Sequence, residues 1–122
     1  MPEKECGQVH ETIQEAIRHA RLNLGARPEG GGEWLDSEPV WGRLSSVNLF
    51  HVIGWQISSR QRWRLDYSPS QGVHVNEEDF TGPVVNSKVI HRIDSRLATE
   101  DMVRLMWRKW TSRFTRPGIG DP

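Results

Sequence analysis

Near the N-terminus the apolar residues fall three and four apart: Val9, Ile13, Ala16, Ile17, Ala20 and Leu24, with Gly25 where a left-handed C-terminal cap belongs. This spacing predicts an amphipathic helix over residues 8–24, with His10, Gln14, Arg18 and Arg21 on the outer face and Glu15, His19 and Asn23 to one side. The period then stops. Residues 25–46 are rich in glycine and proline and predict a long loop, pinned across the core by Trp34, Leu35, Val40, Trp41 and Leu44. Residues 47–58, VNLFHVIGWQIS, are apolar on both alternating faces, as in a central strand, although a short buried helix has the same pattern. Strict alternation follows, with Trp63, Leu65 and Tyr67 on one face and Arg62, Arg64 and Asp66 on the other. After the turn SPSQG, Val73 and Val75 repeat the apolar side while His74 and Asn76 share the polar one. A further strand over residues 87–93 sets Val89, His91 and Ile93 against Lys88, Ile90 and Arg92. Thr99, Glu100 and Asp101 open a last helix in both capping and dipole terms. Val103, Met106, Trp107, Trp110 and Phe114 form its buried stripe, and it is expected to end near Arg116.

The expected architecture is therefore α+β: an N-terminal helix, an antiparallel sheet of about four strands and a C-terminal helix, with helices on one sheet face and the other partly open. The 122 residues fit one domain, with residues 1–7 and 117–122 loose. No apolar run is long enough to span a membrane and no signal-peptide core precedes the first charges, so no membrane partner is expected. A fragment of a longer secreted protein would read the same way.

Composition adds two constraints. Cys6 is the only cysteine, which excludes an internal disulfide and a thiolate zinc cluster. The net charge of zero conceals a basic C-terminal third: between Lys88 and Arg116 eight basic residues face three acidic ones. Lys88, Arg92, Arg104 and Arg108 are its candidate nucleic-acid contacts, and a solvated helix face is the plainer reading. Most of the six tryptophans belong to the core, with base stacking as a secondary use.

The candidate chemistry lies on the polar side of the two alternating strands, where Arg64, Asp66, His74 and Asn76 share one face. Metal-free phosphodiester cleavage needs such a set: His74 to move a proton near neutrality, Asp66 to orient it or share that work, Arg64 to hold phosphate and Asn76 to position the substrate. The competing reading is that His74 and Asn76 satisfy backbone groups at a turn and that NEEDF is a solvated loop. His51 and His91 fall on apolar strands as core histidines, and His10 lies within reach of a sheet edge. Asp66, Glu77, Glu78 and Asp79 lack the spacing of a calcium or magnesium loop. No zinc pair of the His-x-x-x-His type, no P-loop and no nucleophile elbow is present, so neither metal nor cofactor is expected.

The segment RWRLDYSPSQGVHVNEEDF, residues 62–80, resembles one found in C-terminal toxin domains of bacterial polymorphic toxins of the rearrangement-hotspot (YD-repeat) and contact-dependent inhibition types. In those domains an Arg-x-Asp strand, a turn and a His-x-Asn strand followed by acids and an aromatic occur in that order. The resemblance implies a metal-independent ribonuclease of the barnase, EndoU, colicin and RelE kind, with Asp66, His74 and Asn76 at the matched positions and Arg64 beside them. It also implies delivery into a target-cell cytoplasm as the tip of a larger protein, an RNA substrate, a cognate immunity protein and a monomeric chain. The alternatives are a non-catalytic protein-interaction domain and a toxin of other chemistry, such as a metal-dependent DNase or an NAD-consuming enzyme.

Overall fold

The computed structural model describes residues 3–25, 38–42, 51–81 and 87–114. The elements run β1 (Glu3–Glu5), α1 (Ile13–Asn23), β2 (Glu38–Gly42), β3 (His51–Ser58), β4 (Gln61–Ser68), β5 (Gly72–Asp79), β6 (Ser87–Arg92) and α2 (Glu100–Thr111). The six strands form one sheet in the order β1-β6-β5-β4-β3-β2. All neighbours pair antiparallel except β1 and β6, which are parallel. The sheet is thus larger than the expected four strands and mixed rather than antiparallel, which overturns the predicted architecture.

Both unforeseen strands are edges, where local pattern is weakest. β1 is only Glu-Lys-Glu and lies in the stretch expected to be loose. It is held by backbone pairing to β6, with Glu5 opposite Ile90, and Cys6 N–H donates to the Ile90 carbonyl at 2.8 Å. β2 lies inside the expected loop. Its Pro39 is tolerated because an edge strand leaves part of its backbone unpaired. Trp34, Leu35 and Leu44, expected to pin the loop, lie outside the described residues, as do residues 47–50 of the expected central strand and Arg116.

The helices start where side chains satisfy their free N–H groups. Thr12 caps α1 by accepting from Glu15 N–H at 3.0 Å, so the helix begins at Ile13 rather than near residue 8. The residues before it continue beside β6 instead: His10 N–H donates to the Arg92 carbonyl at 2.9 Å, and Asp94 N–H donates to the His10 carbonyl at 2.8 Å. Thr99 caps α2, with Glu100 and Asp101 in the first turn and Arg108 and Lys109 in the last. α2 ends at Thr111, short of the expected Arg116, and Phe114 is exposed rather than part of its buried stripe.

Both helices pack on the sheet face formed by Trp63, Leu65, Val73 and Val75. They contribute Ile13, Ala16, Ile17, Ala20, Val103, Trp107 and Trp110 to one core. The Trp107 indole donates to the Leu65 carbonyl at 3.2 Å, fixing α2 to β4. Among the described residues, no helix is long and apolar enough to cross a membrane.

Candidate metal centre

In the β4–β5 register Arg64 stands opposite Asn76 and Asp66 opposite His74. The four residues therefore meet on the face away from the helices. Their environment is not an open polar surface, however. His74 is 3% exposed and Asn76 is 1% exposed. β5 continues to Asp79, so Glu77 and Glu78 belong to a strand rather than a solvated loop. Glu78 is buried and accepts from Arg64 Nε at 2.7 Å and Arg62 Nε at 2.8 Å, which commits the Arg64 guanidinium to a protein carboxylate. Asp66 stands 3.9 Å from Arg64 Nη1 and accepts from Tyr67 N–H.

His74 Nδ1 lies 2.9 Å from the Gly72 carbonyl, so this nitrogen carries the proton and Nε2 is the basic one. Burial lowers the imidazole's pKa. The Gly72 carbonyl and Asp66 oppose that shift, and Lys88 and Arg64 reinforce it. For Glu78, burial pushes the carboxyl up, but Arg64 and then Arg62 outweigh it and hold the group below the usual range.

The candidate nucleic-acid contacts do not form one surface. Lys88 and Arg92 stand on the far face of β6, opposite Glu78 and His74, and Arg92 pairs with Glu5 at 2.8 Å. Arg104 and Arg108 lie on α2, which packs on the other face, and Arg104 pairs with Glu100. His51 is half-buried beside Trp107, with ring centroids 6.0 Å apart.

A second constellation was not foreseen from the sequence. Cys6, His10, His19 and His91 bring one donor atom each to within 4.8 Å of one another. Each arrives through an identifiable local cause. The β1–β6 pairing sets Cys6 alongside β6, and the backbone bridge between His10 and Ile93 carries the chain on past His91. The Thr12 cap then turns the chain into α1, which presents His19 about two turns later. The three imidazoles stand 5.0–5.6 Å apart, centroid to centroid. His10 and His91 are almost completely buried, while Cys6 and His19 are half-buried.

The two contacts of His19 lie near the edges of a tetrahedral site. Zn–N bonds of about 2.05 Å give N···N edges of about 3.3 Å, and a Zn–S bond of about 2.3 Å gives an N···S edge of about 3.6 Å. His19 Nδ1 lies 3.4 Å from His10 Nε2 and 4.0 Å from Cys6 Sγ. His91 Nε2 lies 2.8 Å from Glu77 Oε1, which also accepts from Asn23 Nδ2 at 3.0 Å. That leaves His91 Nδ1 for the cluster, and it is buried without a partner among the described residues. A carboxylate holding the outer nitrogen of a ligating imidazole is the usual second layer of a zinc site. The single cysteine excludes a multi-thiolate centre, but not this mixed set of one thiol and three imidazoles.

No family model matches the chain, and no curated protein matches it in sequence.

Proposed function

We propose that this chain is a zinc-binding domain in which Cys6, His10, His19 and His91 hold one ion. The reading rests on the convergence of their donor atoms within 4.8 Å, where the buried Nδ1 of His91 has no partner among the described residues. Four protein ligands complete a tetrahedron and leave no position for a reacting water, which is the pattern of a structural centre. Three ligands belong to the N-terminal segment and one to β6, so the ion staples that segment onto the sheet. Thiolate and imidazole together suit zinc better than magnesium or calcium, with copper as the competitor. The test is metal analysis of protein purified without added metal, followed by cobalt substitution. One zinc per chain is expected, as is a thiolate-to-cobalt charge-transfer band that Cys6→Ser removes. Absence of tight binding, or binding unchanged in His91→Ala, overturns the reading.

A second reading, RNA cleavage by a toxin domain delivered into a target cell and blocked by an immunity protein, is favoured by one observation. Asp66 and His74 are direct cross-strand neighbours, as are Arg64 and Asn76. It also rests on the resemblance of residues 62–80 to polymorphic toxin tips. The burial of His74 and the Arg64–Glu78 pair require that face to open for substrate. Growth arrest and RNA breakdown on expression of wild type, lost in a folded His74→Ala protein, would support it. Equal RNA integrity in both would end it.

A further inference from the structure

On the helix side, away from the Cys/His cluster, α1 and α2 leave a groove of about 430 Å³ over β3 and β4. Its volume falls in the range of small-ligand sites. The floor is aromatic: Trp55, Trp63 and Trp110 pack against one another with centroids 5.3–5.8 Å apart. Trp63 and Trp110 are buried, whereas Trp55 is half-buried and offers the accessible indole surface. The rim is cationic. Arg21 comes from α1, with its guanidinium carbon 5.0 Å from the centre of the Trp63 ring, and Lys109 and Arg113 come from the end of α2. Gln14 adds a neutral donor and acceptor, and among the described residues no carboxylate lines the groove. Neither Lys109 nor Arg113 pairs with a carboxylate among those residues.

We propose that this groove binds a segment of single-stranded nucleic acid, with one unpaired base against Trp55 and the adjoining phosphates between Arg21, Lys109 and Arg113. An aromatic floor alone would fit any flat apolar group. Lys109 and Arg113, which pair with no carboxylate among the described residues, stand beside Arg21 and select an anion, and a nucleotide combines a flat ring with a negative charge at this scale. Stacking is indifferent to base identity, so the site favours unpaired strands over duplex without strong sequence preference. The inference is independent of the zinc proposal, because the groove shares no residue with the Cys/His cluster.

The test is fluorescence anisotropy of a labelled oligouridine ten-mer with the full, metal-loaded chain, against its DNA counterpart and a duplex of equal length. Both single strands are expected to bind and the duplex to bind more weakly. Removing the stacking indole in Trp55→Ala is expected to weaken binding about 5- to 150-fold. Because Trp55 also packs in the core, the exposed pair Lys109→Glu and Arg113→Glu provides a second arm. It is expected to weaken binding and to lower the salt-dependence slope by about 0.7 for each phosphate that is no longer neutralised. Unchanged affinity in the Lys109/Arg113 variant, equal affinity for duplex, or no binding of either strand overturns the proposal. Binding of inorganic phosphate with the same affinity as the oligonucleotide overturns it as well, since the indoles would then contribute nothing.

Discussion

Replacing Glu77 by glutamine removes a charge while keeping the shape of the side chain that holds His91. The amide oxygen of the variant can still accept from His91 Nε2 and Asn23 Nδ2, which now meet Glu77 Oε1 at 2.8 Å and 3.0 Å. What disappears is the negative charge that makes His91 Nδ1 a stronger donor to a metal. Removing such an outer partner typically weakens metal affinity about 10- to 100-fold, or about 1.4–2.7 kcal/mol. Zinc bound only by the folded chain stabilises it by RT ln(1 + c/Kd), where c is the free zinc concentration, so at the same excess of zinc the same deficit is expected in the metal's contribution to stability. For a domain of this size, 1 kcal/mol corresponds to about 4 °C in Tm. The gain in Tm on adding excess zinc should therefore be about 5–11 °C smaller in Glu77→Gln than in wild type. Measuring both proteins with chelator and with zinc cancels whatever the substitution does to the metal-free fold. Equal zinc-induced gains would refute the idea that Glu77 acts through His91 on a bound ion.

Three further outcomes follow from the packing and the charges. A Cβ added at Gly54 would lie against the Trp63 carbonyl and 2.8 Å from Arg64 Cα, backbone atoms that cannot rotate away, so Gly54→Ala should separate β3 from β4 and lower stability by roughly 3 kcal/mol or more, read by urea denaturation. Trp107→Phe leaves the Leu65 carbonyl without its indole donor and should cost about 1–3 kcal/mol in the same assay, whereas a drop below about 0.5 kcal/mol would mean the bond at 3.2 Å contributes little. Burial lowers the folded-state pKa of His74 below its ordinary 6.5, so the unfolded chain binds the proton first and stability falls as pH drops below that value; wild type should lose more stability than His74→Gln between about pH 7 and pH 5, and parallel profiles would contradict it.

The parts of the fold written in local chemistry could be read from the sequence. Thr99 marks where the last helix begins, and the alternation through β4 and β5 puts Arg64, Asp66, His74 and Asn76 onto one face, whereas apolar spacing alone carried the first helix back past its Thr12 cap. Alternation says which side of a strand a residue takes, but not what covers that side, so the burial of His74, Asn76 and Glu78 was not legible. β1 carries no apolar pattern, because a three-residue charged edge forms only when a strand more than eighty residues away is there to pair with it. The Cys/His cluster depends on that same pairing. Its first three members, Cys6, His10 and His19, follow no familiar metal-ligand spacing, and only their density in the first nineteen residues hints at a shared purpose. The fourth, His91, reads as a core histidine because it shares an apolar strand face, and its Nε2 is indeed satisfied by Glu77.

The other nitrogen of His91 is what makes an ion the better account of this cluster. Without a metal, the 3.4 Å contact between His10 and His19 can carry one hydrogen bond, and the thiol at 4.0 Å adds at most a weak one. The Nδ1 atoms of His10 and His91 are both buried without a partner among the described residues, and a polar atom left so costs about 1–3 kcal/mol. Leucine or phenylalanine at these positions would avoid that cost and suit the neighbouring core, so as packing alone three imidazoles and a thiol are a poor solution. An ion shifts the balance: it turns the orphaned His91 Nδ1 into a ligand and gives Glu77 an imidazole to orient, while His10 faces the cluster through Nε2 and its Nδ1 stays unpartnered among the described residues. It also supplies the tie that the charged, three-residue β1 lacks in apolar contacts. Zinc withdrawn by chelator should accordingly loosen residues 3–25 before the β3–β5 meander, with amide exchange in β1 and α1 rising first. Uniform exchange across the sheet on metal removal would show that the ion does not act as the staple of the N-terminal segment.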